Sequence, residues 1–556
     1  MVLATLGLRR IVYELVTDPS PPPPAARADE RHAFIPGVAL ALLFFVIGLG
    51  ALGDYGVTWD EGDSQNAAAT NLEILDAVLH SRPIPDFYPW EMPGYHFVLD
   101  TGRGLFTKLT VDRLGLFDLV GAYHFVHLVL SSLSILLLFM LVVRVGRSRW
   151  IALLAALTLA LFPKFLGHSQ NNPKDLPALF VFVLSAYCLV QLTRLGGYRR
   201  AILSGFVMGL AMTTHTLSFF VPVIFCAWVL VAARDLALRR IQEYGLLAVS
   251  SAVAFFASWP YLWADPWGRL TQVLLHVLSY EYWPPVLYLG RVYPGSDLPL
   301  HYFLVSFLVS TPVVFVIFAL LSLPALGRAD SRDADRRSST WLASIWFVLL
   351  VLVEMTASSR YDGVRHFLMT IPAFCILVAI GVDNLWRLAN GGAVPERFRM
   401  QARLAAGAWI GLSFLSVGIA AVRMHPYQDA YLNGITNALL PGDAADTFEV
   451  EYWGNAYREG AEWINRNAEP GAVVYVPWTT QADAHLATKG QPVDAEAFLT
   501  DLARPQYVMT ITRKAHYNAF LHFLDRYYEP VFTVRRQKAT LLKVFKNTHR
   551  PDPFPG

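Results

Sequence analysis

A polytopic α-helical membrane protein with a small C-terminal α/β domain is the fold class that three observations predict. The 556 residues are 54% hydrophobic and only 16% charged, too apolar and too long for one soluble core. About eleven apolar runs recur between Phe34 and Val422, and the tail beyond them alternates strand and helix signals. Lys plus Arg (45) nearly balance Asp plus Glu (43), so the net charge of +2 gives no global field for nucleic acid or another polyanion. Cys188, Cys226 and Cys375 all lie inside apolar runs, which excludes a disulfide framework and a thiolate metal site.

Residues 1–33 read as a cytoplasmic stub and a proline-rich linker, PSPPPPAA, without a small-residue cleavage site. A span needs about 20 apolar residues. Candidates are Phe34–Gly53, Leu119–Val143, Trp150–Pro163, Leu176–Leu192, Ala201–Thr213, Leu217–Ala232, Tyr244–Trp263, Leu300–Leu323, Trp341–Met355, Phe367–Trp386 and Leu404–Val422, two of them too short to cross alone. With the N-terminus inside, every inner loop is basic, from Arg144, Arg147 and Arg149 to Arg387, Arg397, Arg399 and Arg403. Residues 34–422 then form the membrane part, with a first extracytoplasmic loop at 54–118. Residues 423–556 fall outside, where AVVYVP, QYVMTIT, PVFTVRR and TLLKVFK read as strands and AYREGAEWINRN and HYNAFLHFLDRYY as helices.

Charges at the outer ends of spans carry the functional signal. In TWDEGDSQNAAATNLEILDAVL, Asp60 and Glu61 occupy the first turn of a surface helix with Asp63 just beyond; the bland reading is helix capping, about 0.5–2 kcal/mol. Lys174 in HSQNNPKDLP and Arg360 and Arg365 in SSRYDGVRHF lie on the side where cations are disfavoured. Local pairs, Lys174 with Asp175 or Arg360 with Asp362, would explain them at about 0–1 kcal/mol each; an anionic ligand is the alternative. His168, Asn172 and Asp175 crowd the second outer loop and could line a wet cavity, although turn formation accounts for Asn172. His215 lies between two short spans and reads equally as a packing residue or a site residue. Tyr282, Trp283 and His301 fall in an aromatic-rich outer segment, where interfacial anchoring competes with sugar or prenyl binding.

The order and shared sidedness of TWDEGD, NNPKDLP and SRYDGVRHF, with a polar tail outside, resemble the GT-C superfamily of polyprenyl-phosphate-sugar glycosyltransferases, in the branch of the protein O-mannosyltransferases and lipid A aminoarabinose transferases. The resemblance covers roughly Phe34–Val422, and HPYQDAYLNGI and EYWGNAYREGAEWIN also look like bacterial members. It departs from the aminoarabinose branch at TTHTLSF, which leaves the role of His215 open. The resemblance implies an inverting membrane glycosyltransferase that takes a sugar from a polyprenyl-phosphate donor to a hydroxyl of an envelope lipid, glycan or protein. Carried over by position, Asp60 is the general base with Glu61 beside it, and Lys174, Arg360, Arg365 and His366 are on the donor-phosphate side. No His/Glu pattern with metal-ligand spacing appears, so no obligatory metal is expected, while a divalent cation stays compatible. A lipid or sugar transporter is the competing class; it predicts charges at mid-bilayer, whereas these gather at one side. A membrane scaffold is the third reading, and it leaves the outer cations idle.

Overall fold

The computed structural model describes residues 34–84, 96–279, 284–327, 334–357, 360–392, 394–477, 479–487, 490–492, 494–500 and 506–547. The N-terminal stub assigned to residues 1–33, with Tyr282 and Trp283, lies outside these residues.

The chain is a multi-pass helical membrane protein with a small β-sheet region, but the expectation of about eleven spans needs correction. Among the described residues, six helices are long and apolar enough to cross a membrane: Leu119–Arg144, Asp175–Leu195, Thr216–Ala233, Asp335–Met355, Arg365–Asn390 and Glu396–Met424. A seventh arises if Tyr302–Ser310 and Val313–Gly327, bent by 111° at Pro312, are taken as one. The other apolar runs form shorter helices, Ile35–Gly50, Arg149–Leu161, Tyr198–Met212 and Ile241–Ala257. At 1.5 Å per residue, even the longest of these, 17 residues, falls short of a hydrocarbon core about 30 Å thick. Apolarity was legible; uninterrupted helical length was not.

Helix Arg365–Asn390 is buried along nearly its whole length and packs against Arg149–Leu161, Val313–Leu320 and Asp335–Met355. Outer helices keep large apolar side chains exposed, such as Leu42, Val46, Val253, Leu412 and Ile419, as lipid contact requires. Where helices approach closely, small residues allow it: a Cβ on Gly381 would lie 1.6 Å from the Phe318 carbonyl oxygen.

The C-terminal sheet has strand order β3-β4-β6-β5, with β3 Val473–Tyr475, β4 Gln506–Ile511, β5 Phe532–Arg536 and β6 Ala539–Lys546. β3 and β4 are parallel, the other pairs antiparallel, and a register irregularity falls at Val534/Arg535. All four match the strands read from sequence, and helices Tyr457–Asn467 and Ala519–Tyr527 match the two helical stretches. β4 is buried at every position, consistent with its nearly continuous apolar run. A hairpin of β1 Pro285–Tyr288 and β2 Arg291–Pro294 lies within the aromatic-rich segment; sequence reading missed it, because its turn is Leu289-Gly290 rather than Asn-Gly or Asp-Gly, with both residues at positive φ (51° and 76°).

Candidate active site

Helix Trp59–Leu79 begins with a capping box: Glu61 accepts from the Thr58 backbone N–H at 3.0 Å, and its carboxylate lies 3.1 Å from the Thr58 hydroxyl oxygen. Glu61 is fully buried and its carboxylate also lies 3.3 Å from His124. It serves the helix start and so orients Asp60, its neighbour in sequence.

The NNPKD loop is held carbonyl by carbonyl. Ser131 donates to Ser169 O at 2.8 Å, His127 Nδ1 lies 2.9 Å from Gln170 O, Thr58 donates to Asn171 O at 2.8 Å, and Arg103 donates to Pro173 O at 3.2 Å. His127 Nε2 in turn lies 2.9 Å from Arg103, so the proton sits on Nδ1 and Arg103 fixes the tautomer. Asn172 closes the turn by accepting from the N–H groups of Lys174 (3.2 Å) and Asp175 (2.8 Å). This bracing sets Lys174 and Asp175 at the head of a membrane helix.

Three segments far apart in sequence meet at Asp60. Its carboxylate pairs with Arg365, 305 residues away, and with Lys174 at 3.2 Å, 114 residues away. Arg365 also reaches Asp175 through Nε at 3.1 Å and Asp362 through Nη1 at 2.7 Å, and its guanidinium lies 4.1 Å from the Trp453 ring centroid. Arg365 is 8% exposed, whereas the Lys174 side chain is 35% exposed and lies 3.8 Å from Asp63, itself 77% exposed. Lys174 is therefore the edge of the cluster that solvent reaches. Neither local pair of the bland reading forms; Lys174 and Arg365 pair across the fold instead.

Burial raises the carboxyl of Asp60, but Arg365 and Lys174 outweigh it and hold the group below the usual carboxylate range. Burial pulls Lys174 down, and Asp60 beside it with Asp63 lifts it above the ordinary lysine value. Burial, assisted by His215, Lys174 and Arg103, drives His96 down to about 3, leaving a neutral ring beside the cluster.

The other sequence candidates divide. Asn172 also donates to Asp175 at 3.0 Å and to His168 at 3.2 Å. His168 is buried, and its Nδ1 accepts the Trp453 indole N–H at 3.1 Å. His215 and His366 stand 3.5 and 3.8 Å from Asp175 Oδ1. Arg360 is not brought into the cluster: it donates to the Met355 and Leu298 carbonyls at 2.9 and 2.5 Å and so pins its own loop. His301 bonds the Tyr288 hydroxyl at 2.7 Å on β1. Sequence reasoning missed Trp453 and Arg513 and, in its bland reading alone, offered Asp362 as a partner for Arg360; the structure pairs Asp362 with Arg365 and Arg513.

Asp175, His215 and His366 offer ligand atoms within 4.8 Å of one another and could hold a divalent cation. Asp175 Oδ2 is occupied by Arg365 and Asn172, leaving Oδ1 toward the two imidazoles. His366 Nε2 is buried with no hydrogen-bond partner. His215 fits less well: its Nδ1 accepts the Leu217 N–H at 3.1 Å, which puts the neutral ring's proton on Nε2, the nitrogen facing Asp175. To ligate through Nε2, that ring must give up its bond to Leu217. Turnover is accordingly expected to survive exhaustive chelation; loss on chelation and return with zinc would contradict this.

Residues 116–267 match the family model for dolichyl-phosphate-mannose-protein mannosyltransferases. Comparison with curated proteins gives no match. Among solved structures, ArnT from Cupriavidus metallidurans bound to undecaprenyl phosphate is 14% identical, covering 91% of this chain and 97% of its own, with a TM-score of 0.47. The Archaeoglobus fulgidus oligosaccharyltransferase tethered with an acceptor peptide is 13% identical, with coverage of 91% and 73% and a TM-score of 0.45. Arabinofuranosyltransferase AftD from Mycobacteria is 11% identical, covering 92% of this chain and 39% of its own, with a TM-score of 0.43. The family-model match spans Lys174, Asp175 and His215.

Proposed function

We propose that this protein transfers a sugar from a polyprenyl-phosphate-linked donor to a hydroxyl of an envelope lipid, glycan or protein, with inversion, on the extracytoplasmic side of the membrane. Residues 34–422 form the catalytic membrane part in this reading and 423–556 an extracytoplasmic α/β domain. The observation that carries it is the meeting of Asp60 with Lys174 and Arg365, a carboxylate between two cations at the head of membrane helices.

The acceptor hydroxyl attacks the anomeric carbon while Asp60 takes its proton. The bond from that carbon to the phosphate oxygen breaks, and the electron pair leaves with polyprenyl phosphate. A depressed pKa makes Asp60 a weak base but keeps it ionised, so its task is to orient the hydroxyl and accept the proton late, as charge leaves the acceptor oxygen. Lys174, half-exposed, can exchange Asp60 for the incoming phosphate; this frees the carboxylate for the acceptor. Arg365 offers its planar fork to the leaving group, where charge grows in the transition state.

The prenyl chain has a place to lie. An apolar cavity of about 580 Å³, lined by Leu304, Phe307, Leu352, Trp341, Phe374 and Leu377, opens among the membrane helices. Its Phe307 packs on Phe303, whose ring centroid lies 3.8 Å from that of Phe367, two residues beyond Arg365.

The test is turnover of a radiolabelled polyprenyl-phosphate sugar by purified protein in detergent. Release of polyprenyl phosphate with an inverted glycoside is expected. A protein that moves the donor across vesicle bilayers without breaking the sugar–phosphate bond would be the transporter instead.

In the same assay Lys174→Ala is expected to move the acid limb of kcat/KM upward. With one of two cations removed, the Asp60 pKa rises toward its ordinary value, and the ionised fraction is lost at higher pH. An unchanged acid limb would separate Lys174 from Asp60.

A further inference from the structure

The short run Glu451–Asn455, EYWGN, belongs to the C-terminal part of the chain, yet it touches both sides of the Asp60–Arg365 pair. On one side, the Trp59 backbone N–H donates to Trp453 O at 3.2 Å, the Trp59 indole donates to Tyr452 O, and the Gly56 N–H donates to Asn455 Oδ1 at 2.5 Å. These bonds hold the residues just before Asp60. The approach is close enough that a Cβ on Gly56 would lie 2.3 Å from the Asn455 carbonyl oxygen. On the other side, the Trp453 ring covers Arg365 at 4.1 Å, and its indole N–H reaches His168, which connects through Asn172 to Asp175.

The loop is itself stiff. Glu451 accepts from the N–H groups of Trp453 (3.0 Å) and Gly454 (2.7 Å), and Gly454 supplies the positive φ of 84° that the turn requires. A second contact comes from just beyond β4: Arg513 donates to Asp362 Oδ1 at 2.7 Å while Arg365 holds Asp362 Oδ2 at the same distance. Asp362 thus joins two guanidinium groups, and Glu449 lies 3.5 Å from Arg513 on its far side. A mere cover over the cavity would need none of this. Glu451, Trp453, Asn455, Asp362 and Arg513 are all buried, and together they fix the position of the two residues assigned the chemistry.

We infer that Trp453 and Arg513 are positioning residues for glycosyl transfer, and that the C-terminal part sets the separation between Asp60 and Arg365. This rests on the transferase reading above. The ring of Trp453 fixes the plane of the Arg365 fork, and Arg513 holds the carboxylate against which that fork is aligned.

The test compares Trp453→Leu, Trp453→Phe, Arg513→Gln and Arg513→Lys in full-length protein, measuring donor turnover and, separately, binding of polyprenyl phosphate. Misplacement of a reacting group by about 1 Å costs on the order of 100-fold in rate. Trp453→Leu and Arg513→Gln are each expected to lower kcat by about that factor, with a smaller change in KM. Trp453→Phe keeps a ring over Arg365 and Arg513→Lys keeps the charge on Asp362; each is expected to recover most of the loss. Wild-type kcat in the Leu and Gln variants would overturn the inference. So would a loss that follows the folded fraction alone, or one that the conservative variants do not relieve. Failure of the transferase reading looks different: the wild-type protein itself would not cleave the donor.

Discussion

Asp60→Asn is expected to lower kcat by about 10²- to 10⁴-fold, the usual contribution of a positioned base, without raising donor KM. The substitution keeps the shape and a hydrogen-bonding oxygen at the head of helix Trp59–Leu79, so the Thr58–Glu61 capping box survives. It removes the negative charge that accepts the proton in the proposed reaction. It also leaves Lys174 and Arg365 with one carboxylate fewer, which favours the phosphate in the ground state; tighter binding of polyprenyl phosphate should accompany slower turnover. Asp60→Glu would place the carboxylate about one methylene further out and recover part of the rate. Near-wild-type kcat in Asp60→Asn, with folded protein, would remove Asp60 from the mechanism. Because its folded pKa is depressed, the ion pairs of Asp60 stabilise the fold above the unfolded carboxylate pKa and are lost as pH falls through the folded value.

Arg365 carries the second large effect, and there stability and rate must be separated. Its guanidinium faces Asp60, Asp175 and Asp362 while buried, so Arg365→Gln strands three carboxylates without their common partner. Breaking such a buried pair costs about 3–5 kcal/mol, and a markedly lowered Tm is expected. Arg365→Lys keeps the charge but replaces a planar fork by a single ammonium, which cannot face three carboxylates and grip a phosphate at two oxygens. That variant is expected to fold and to lose about 10²- to 10³-fold in kcat, the scale of one lost transition-state donor. Unimpaired turnover in Arg365→Lys would show that charge alone suffices.

Much of this is legible in the sequence alone. The first-turn carboxylates of TWDEGD, the Lys-Asp pair of NNPKDLP and the SRYDGVRHF arginine stood out because each places charge where an apolar span ends. Strands β3–β6 were legible from their apolar runs and turn residues. What sequence could not show is pairing. Arg360 and Arg365 look equivalent in the same loop, yet Asp362 and Gly363 turn the chain at positive φ (53° and 62°), directing Arg365 into the cluster and Arg360 toward the Met355 and Leu298 carbonyls. Glu61 looked like a twin of Asp60, but a helix needs its N3 carboxylate for the cap. Trp453 lies in EYWGNAYREGAEWIN, whose resemblance says nothing of the site, and Arg513 gave no signal, because their roles depend on distant partners, such as His168, 285 positions from Trp453, and Asp362, 151 positions from Arg513. No periodicity reaches that far. The span count failed for the opposite reason: hydropathy is local and does not register helix interruption, which falls at Pro163 and Pro312 in two of the runs.

The most direct measurement is a density map of the protein with polyprenyl phosphate bound. The phosphate should lie between Lys174 and Arg365, with the prenyl chain entering the apolar cavity beside Phe307 and the Asp60 carboxylate turned toward the side opposite the leaving oxygen. A phosphate seated elsewhere, with the Lys174–Asp60–Arg365 cluster closed and unchanged, would contradict the account.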